Sequence, residues 1–375
     1  MDATSPADRA VVSKAIDAAF DAGVLTAKDL LPVEQGGLLC AYNPPGDHAG
    51  LAAIIAATHD PALITAYANG EVALMTAYPD YQATASRAAT IATALASLPP
   101  AELQKYLKAH PDQASWVIDH INDPAASGSD MSGGTALAAL LKTVDKIKPP
   151  TRESIGLFEA SLPMLGKSKA AREAAAQFFI DHKNVLLSDG PLGYISKNGA
   201  ISVGKQAVLA ELFANTLFSK PKPANAGALR DSVSATLESL SDSLNANGDD
   251  EPSVAMKELA RTLGSLVGTL ESGFQVAVDR LEARNDAIDG AVDLFTSLAG
   301  VIPDLPFPGG GLIKDATVDQ IAKWLKNGLH EEAADPSEAI PFHVLFGGTL
   351  ENGDLATNYD AARVEAYINS HLGLA

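Results

Sequence analysis

The sequence predicts an all-α protein, a multi-helix bundle of two or three subdomains with one small β-hairpin near residues 194–203. Apolar residues recur at three- and four-residue spacing along most of the chain, the period of an amphipathic helix. Hydrophobic residues make up 47% of the 375 positions and aromatics only 6%, so the apolar content is mostly Ala and Leu, which favour helix. Proline and glycine punctuate the periodic runs at short intervals, as expected for an array of short antiparallel helices.

In the first run, Val12, Ile16, Phe20 and Val24 fall four residues apart, and Ser5-Pro6 supplies an N-cap and first-turn pair. A loop rich in glycine and proline follows, from Gly36-Gly37 to Asn43-Pro44-Pro45-Gly46. Helices are then expected over Ala49–Thr58, Pro61–Ala68, Tyr81–Ser97, Pro100–Ala109 and Asp112–Ile121. Each is delimited by a breaker such as Asp60-Pro61, Pro99-Pro100 or His110-Pro111. Asn122–Gly134 reads as a linker. Helices follow at Thr135–Ile147, Thr151–Leu162 and Lys169–Leu187, with Pro149-Pro150 stopping the first of them.

Leu192–Val203 breaks the helical pattern. Tyr194, Ile195 and Ile201 flank Asn198-Gly199, the preferred pair of a type I′ turn, which predicts the β-hairpin. Helices resume at Gly204–Phe218 and, past Lys220–Gly227, at Ala228–Leu244. After the turn Asn245–Pro252 comes the longest periodic run, from Leu263 through Phe274 and Ile288 to Phe295. It fits one helix of about 45 residues or two helices broken near Asn285. Gly264, Gly268 and Gly273 lie within it. Each weakens an isolated helix by about 1 kcal/mol relative to Ala, and each is tolerated where another helix packs on that face. Val301–Gly311 is non-helical on its prolines and glycines. A helix with Val318, Ile321, Trp324 and Leu325 follows, then a short strand at Phe342–Phe346 and a last helix at Ala361–His371. The linkers divide the chain into subdomains 1–125, 135–220 and 228–375. There is no repeat at a fixed period.

The net charge is −19. Such a surface repels the phosphate backbone of nucleic acids and disfavours anionic lipid headgroups, while it steers cationic partners. The N-terminus lacks the basic and apolar regions of a Sec signal peptide, and no apolar run reaches the length of a membrane span. The expected location is the cytoplasm, or the exterior by way of a dedicated bacterial secretion system.

Residues with reactive side chains are scattered. Cys40 is the single cysteine, so no intramolecular disulfide is available. The run Pro32-Val33-Glu34-Gln35-Gly36-Gly37-Leu38-Leu39-Cys40-Ala41-Tyr42 resembles the nucleophile region of papain-like cysteine proteases. In that family a glutamine ahead of the cysteine donates to the oxyanion and the cysteine opens a helix. Here Asn43-Pro44-Pro45-Gly46 follows at once and is incompatible with a long helix opening at Cys40, and the spacing from Gln35 is short. A buried thiol acting as a small hydrophobe is the competing assignment.

The eight histidines, His48, His59, His110, His120, His182, His330, His343 and His371, form no zinc signature. Asp119, His120 and Asp123 offer ligands or a general base, and equally an ordinary helix terminus with a histidine in its last turn. Neither Asn245–Glu251 nor Tyr194–Lys205 has the ligand spacing of a calcium loop. Gly309-Gly310-Gly311-Leu312-Ile313-Lys314-Asp315 lacks the Gly-Lys-Ser/Thr of a phosphate loop and reads as a hinge. Ala287–Leu312 is apolar, but Asp289, Asp293 and Asp304 interrupt it, so a core helix and an extended strap are favoured over bilayer insertion. No catalytic, cofactor-binding or metal-binding residue is therefore assigned, and no cofactor is expected.

The segment Glu271–Leu329 is similar to helical regions of secreted bacterial effectors and polymorphic toxins. There, an Ala-rich helix ends in a proline turn, a glycine-rich link follows, and a second amphipathic helix closes the unit. The resemblance carries no catalytic residue. It implies a bacterial, secretion-associated helical domain that supports delivery or binds partners, with a role in virulence. The function expected is a non-enzymatic protein-interaction module whose partner is another protein. A cysteine-dependent hydrolase using Cys40 and a membrane-inserting protein using the C-terminal helices are the alternatives.

Overall fold

The computed structural model describes residues 6–26, 29, 46–77, 84–121, 132–218, 222–246, 253–280 and 353–371. These residues are all-α: thirteen α-helices and one short 3-10 turn, with no strand among them. The chain forms two compact units, Met1–Phe178 and Phe179–Ala375.

The first unit holds α1 (Pro6–Asp21), α2 (Gly46–Ala56), α3 (Pro61–Ala77), α4 (Thr84–Ala96), α5 (Pro100–Ala109), α6 (Pro111–His120), α7 (Ser132–Val144) and α8 (Arg152–Ser161). Its centre is α4, which packs against α2, α3, α6 and α7. The sequence of α4 explains that position. Ala88, Ala89, Ala92 and Ala94 are buried together with Ile91 and Leu95, and their small side chains let four neighbours approach one axis. Pro100 and Pro111 occupy the first turns of α5 and α6, where a missing N–H costs nothing. Polar ties join the helices at their edges. Thr143 of α7 donates to the Ala96 carbonyl at the end of α4 (2.8 Å). Ser13 of α1 donates to the Ile54 carbonyl of α2 (3.1 Å). At the start of α8, the Thr151 and Ser154 side chains reciprocally satisfy each other's backbone N–H in a capping box.

A helix at Lys169–Leu186 (α9) carries the chain across the boundary between the units. The second unit continues with α10 (Val203–Thr216), α11 (Ala226–Asn245), α12 (Val254–Asp279) and α13 (Gly353–His371). The interface of α12 with α13 is its most extensive, and α10 packs against both. Gly264 and Gly268 make that contact close: a Cβ on Gly264 would strike the Tyr359 carbonyl, and one on Gly268 the Arg363 carbonyl. Glycines that weaken an isolated helix thus allow two backbones to meet. The helix stops at Asp279, and Arg280 leaves the helical conformation (ψ 83°). There Arg280 donates to both carboxylate oxygens of Glu211 (2.6 and 2.8 Å) and to Asn215 (3.0 Å) on α10, a bidentate clamp on the end of α12.

The region expected as a β-hairpin contains one isolated antiparallel bridge, Ile195 to Ile201. Gly199 has φ +87°, whereas His59 is the only non-glycine with positive φ among the described residues, so Asn198 does not adopt the conformation of a type I′ turn. Gly199 N–H donates to the Ser196 carbonyl and Ser196 N–H to Ala200, the pattern of a three-residue loop closed by a left-handed glycine. The loop is a brace for α12. The Thr262 hydroxyl donates to the Gly199 carbonyl (2.6 Å), and a Cβ at 199 would collide with the Glu258 backbone. The strand expected at Phe342–Phe346, the glycine-rich hinge at Gly309–Gly311 and the helix carrying Trp324 lie outside the described residues.

Candidate functional site

Cys40, His330, His343, Asp123, the apolar segment Ala287–Leu312 and the glycine-rich Gly309–Asp315 all lie outside the described residues. The candidates that are described do not converge. His59 sits in the tight turn between α2 and α3. His110 joins α5 to α6, with its ring 3.4 Å from the Asn69 amide, which also accepts from the Tyr106 hydroxyl (3.2 Å). His120 ends α6. Its ring stacks on Trp116 at 4.4 Å between centroids and its Nδ1 lies 2.7 Å from the Trp116 carbonyl, so a local helix contact uses both face and nitrogen. Asp119 turns to Ser115 instead. His182 is buried in α9, His48 lies in α2, and His371 is the last residue of α13. No group of three His, Cys, Asp or Glu able to hold a metal occurs among the described residues.

What sequence reading missed are two buried carboxylate–arginine centres, one in each unit. In the first, Glu71 of α3 and Arg87 of α4 are both fully buried, and an Arg87 Nη1–H donates to Glu71 Oε2 at 3.0 Å. Burial pushes the Glu71 carboxyl above its ordinary range, although the guanidinium pulls the other way. Tyr67, also buried, lies one turn before Glu71, and Thr90 donates to the Arg87 carbonyl (2.8 Å). Nothing in local spacing marks this pair, because the two residues are sixteen positions apart on different helices.

In the second centre, Glu271 of α12 faces Arg363 of α13 at 3.9 Å, too long for a hydrogen bond. Glu271 is 3% exposed, its Oε1 has no hydrogen-bond partner, and burial lifts its carboxyl to about 8 against the pull of Arg363. Asp360, 3.8 Å from the same guanidinium, is raised in the same direction by burial, and the fully buried Tyr359 is raised as well. The carboxyls of Glu71 and Glu271 are both buried where two helices pack. In a low-dielectric interior the cost of ionising such a carboxyl depends on its pairing.

The surface offers a different kind of candidate. Helix α13 buries Leu355, Tyr359, Ala362, Ala366 and Ser370 against its own unit, yet Val364 and Ile368 stand out at 48% and 43% exposure, one turn apart. A helix apolar on two sides uses one for its own core and presents the other. Glu365 is exposed beside this ridge and Asp360 is partly so. The chain matches no family model, no curated protein and no solved structure. No described helix is long and apolar enough to cross a membrane.

Proposed function

We propose that the protein is a non-enzymatic helical interaction module that binds another protein through the outer ridge of α13. The observation that carries this reading is the pair Val364 and Ile368, exposed on a helix whose opposite face is already buried. The acidic groups beside the ridge, Asp360 and Glu365, and the chain's net charge of −19 select the partner's chemistry: an apolar stripe flanked by lysine or arginine, as on a basic amphipathic helix. Helices α10 and α12 of the same unit form the scaffold for this ridge, and the hairpin-like turn at 195–201 braces α12. The resemblance of Glu271–Leu329 to helical regions of secreted bacterial effectors and polymorphic toxins supports a setting in bacterial secretion or delivery.

The test uses a fluorescent synthetic Leu/Lys amphipathic helix, with a Leu/Glu helix of the same apolar pattern as control. The full chain is expected to bind the basic peptide, to bind it less as salt is raised, and to ignore the acidic one. The double variant Val364→Ser/Ile368→Ser, checked for retained helix content by circular dichroism, is expected to lose at least tenfold in affinity, the equivalent of about 1.4 kcal/mol. Equal binding by the variant and the parent chain would remove the ridge from consideration.

A further inference from the structure

The α12–α13 interface sets close packing against a buried carboxyl that lacks a hydrogen-bonded cation. Gly264 and Gly268 bring the two helix backbones into contact, and Tyr359, Ala362 and Ala366 fill the remaining space. A carboxyl group, Glu271, is buried in the same unit. Among the described residues its paired cation, Arg363, is 3.9 Å away and unsuited to a hydrogen bond, and its Oε1 is unsatisfied. The hydroxyls of Ser265 and Ser272 on α12 are likewise buried without hydrogen-bond partners. A close-packed, poorly solvated interface accepts a neutral carboxyl far more readily than a carboxylate.

The geometry points to a proton-dependent clasp: α13 docks firmly on α12 while Glu271 carries its proton, and the docking loosens as that carboxyl ionises. This is a property of the interior of the unit and does not depend on the outer ridge of α13 being a binding surface.

Among the described residues the surrounding charges are few. From α13 come Arg363, which favours the ionised form of Glu271, together with Asp360 and the buried Tyr359. The ionisable residues of α10 are Lys205, placed over the Tyr194 ring, and Glu211, which is held by Arg280. Those of α11 are Arg230 and Asp231, paired with each other, and Glu238 and Asp242. On α12 itself, Lys257, Glu258 and Arg261 lie more than two turns before Glu271, and Asp279 and Arg280 more than one turn after it. Among the described residues, the charge acting on Glu271 is that of Arg363.

The direction follows from linkage. The docked carboxyl titrates near 8 and a solvated one near 4.5, so the docked state holds its proton more tightly. Docking is fully favoured below the lower value, weakens as pH rises between the two, and is constant above the upper one. One proton linked to opening changes the opening equilibrium by about tenfold per pH unit within that window.

The experiment is hydrogen–deuterium exchange of the full chain from pH 5.5 to 9, read as protection factors after correction for intrinsic chemical exchange. The α13 amides of the unaltered chain are expected to lose protection by about tenfold per pH unit up to about pH 8 and then to level off. Glu271→Gln is expected to abolish that slope, while α4 in the other unit behaves identically in both proteins. Parallel α13 profiles for the unaltered chain and Glu271→Gln would overturn the proposal, as would protection that rises with pH. Should Glu271→Gln not fold, Arg363→Met decides the matter. Removing the cation leaves burial unopposed, so the levelling-off must move to higher pH, and an unmoved plateau counts against the clasp.

Discussion

Replacing Arg87 by methionine isolates the energetics of the buried centre in the first unit. The substitution keeps much of the side-chain volume but leaves the Glu71 carboxyl, fully buried, without its cation at 3.0 Å. Stranding one partner of a buried ion pair costs about 3–5 kcal/mol, a large part of the stability of a typical domain. Removing both charges, as in Glu71→Leu/Arg87→Met, strands neither, and such replacements are often neutral or stabilising. The double variant is therefore expected to lie within about 2 kcal/mol of the parent chain and well above the single one. The pH dependence has a definite sign. Burial already holds the folded Glu71 carboxyl above its unfolded range, and Arg87 partly offsets this. Without Arg87 the folded value climbs further. The penalty of Arg87→Met should then be smallest near pH 5 and grow towards pH 8. Urea titration followed by Trp116 fluorescence in a Trp324→Phe background reads the unit directly, since Trp116 lies on α6, which packs against α4. A single variant as stable as the double, or a penalty that shrinks as pH rises, would refute the reasoning.

Two further perturbations address how the helices are built. Gly156→Ala, on the exposed side of α8 with no atom within 4 Å of the new Cβ, should raise stability by about 0.5–1 kcal/mol. Gly268→Ala should instead lower it by about 1–3 kcal/mol, because its Cβ meets the Arg363 carbonyl; thermal unfolding of both variants side by side checks the opposite signs. Thr151→Ala removes the capping-box side chain and should cost about 1 kcal/mol in chemical denaturation, with Thr151→Ser recovering most of the loss.

Most helices were legible because breakers and periodicity coincide. Pro100–Ala109 is bounded by Pro99-Pro100 and His110-Pro111, and the observed helix has the expected limits. Where no breaker marks the end of a helix, the reading shortens. α3 continues through Gly70 to Ala77, nine residues past Ala68, because Val72 and Met75 keep packing inward although no sharp apolar–polar contrast marks them. The glycines of α12 were legible as a conditional statement, tolerated if a helix packs there; α13 does so at Gly264 and Gly268, and α10 at Gly273. The identity of that helix was not legible, since close approach is a property of three-dimensional contact. The same holds for Glu71 with Arg87 and Glu271 with Arg363. Each residue is unremarkable in its own window, and only the packing of two helices turns a polar position into a buried charge. The boundary between the two units falls inside the continuous helix α9, where composition has no reason to change.

The two carboxylate–arginine centres are alike in burial and differ in geometry, and that difference separates what each can do. Glu71 and Arg87 share a 3.0 Å hydrogen bond, a directional contact that ties α3 to α4 and opposes part of the desolvation of the carboxyl. Glu271 and Arg363 stand 3.9 Å apart, and the charge attraction lacks the directional contact that would offset desolvation. The contact of α13 with α12 must then come from shape, from Gly264 and Gly268 against the backbone at Tyr359 and Arg363. Shape and charge meet at one residue, because the carbonyl that abuts Gly268 belongs to Arg363, whose guanidinium faces Glu271. A methyl group added at 268 pushes on the backbone that carries the cation. Packing and ionisation at this interface are therefore coupled through Arg363, and perturbations of Gly268 and Glu271 are not additive in the way that distant sites are.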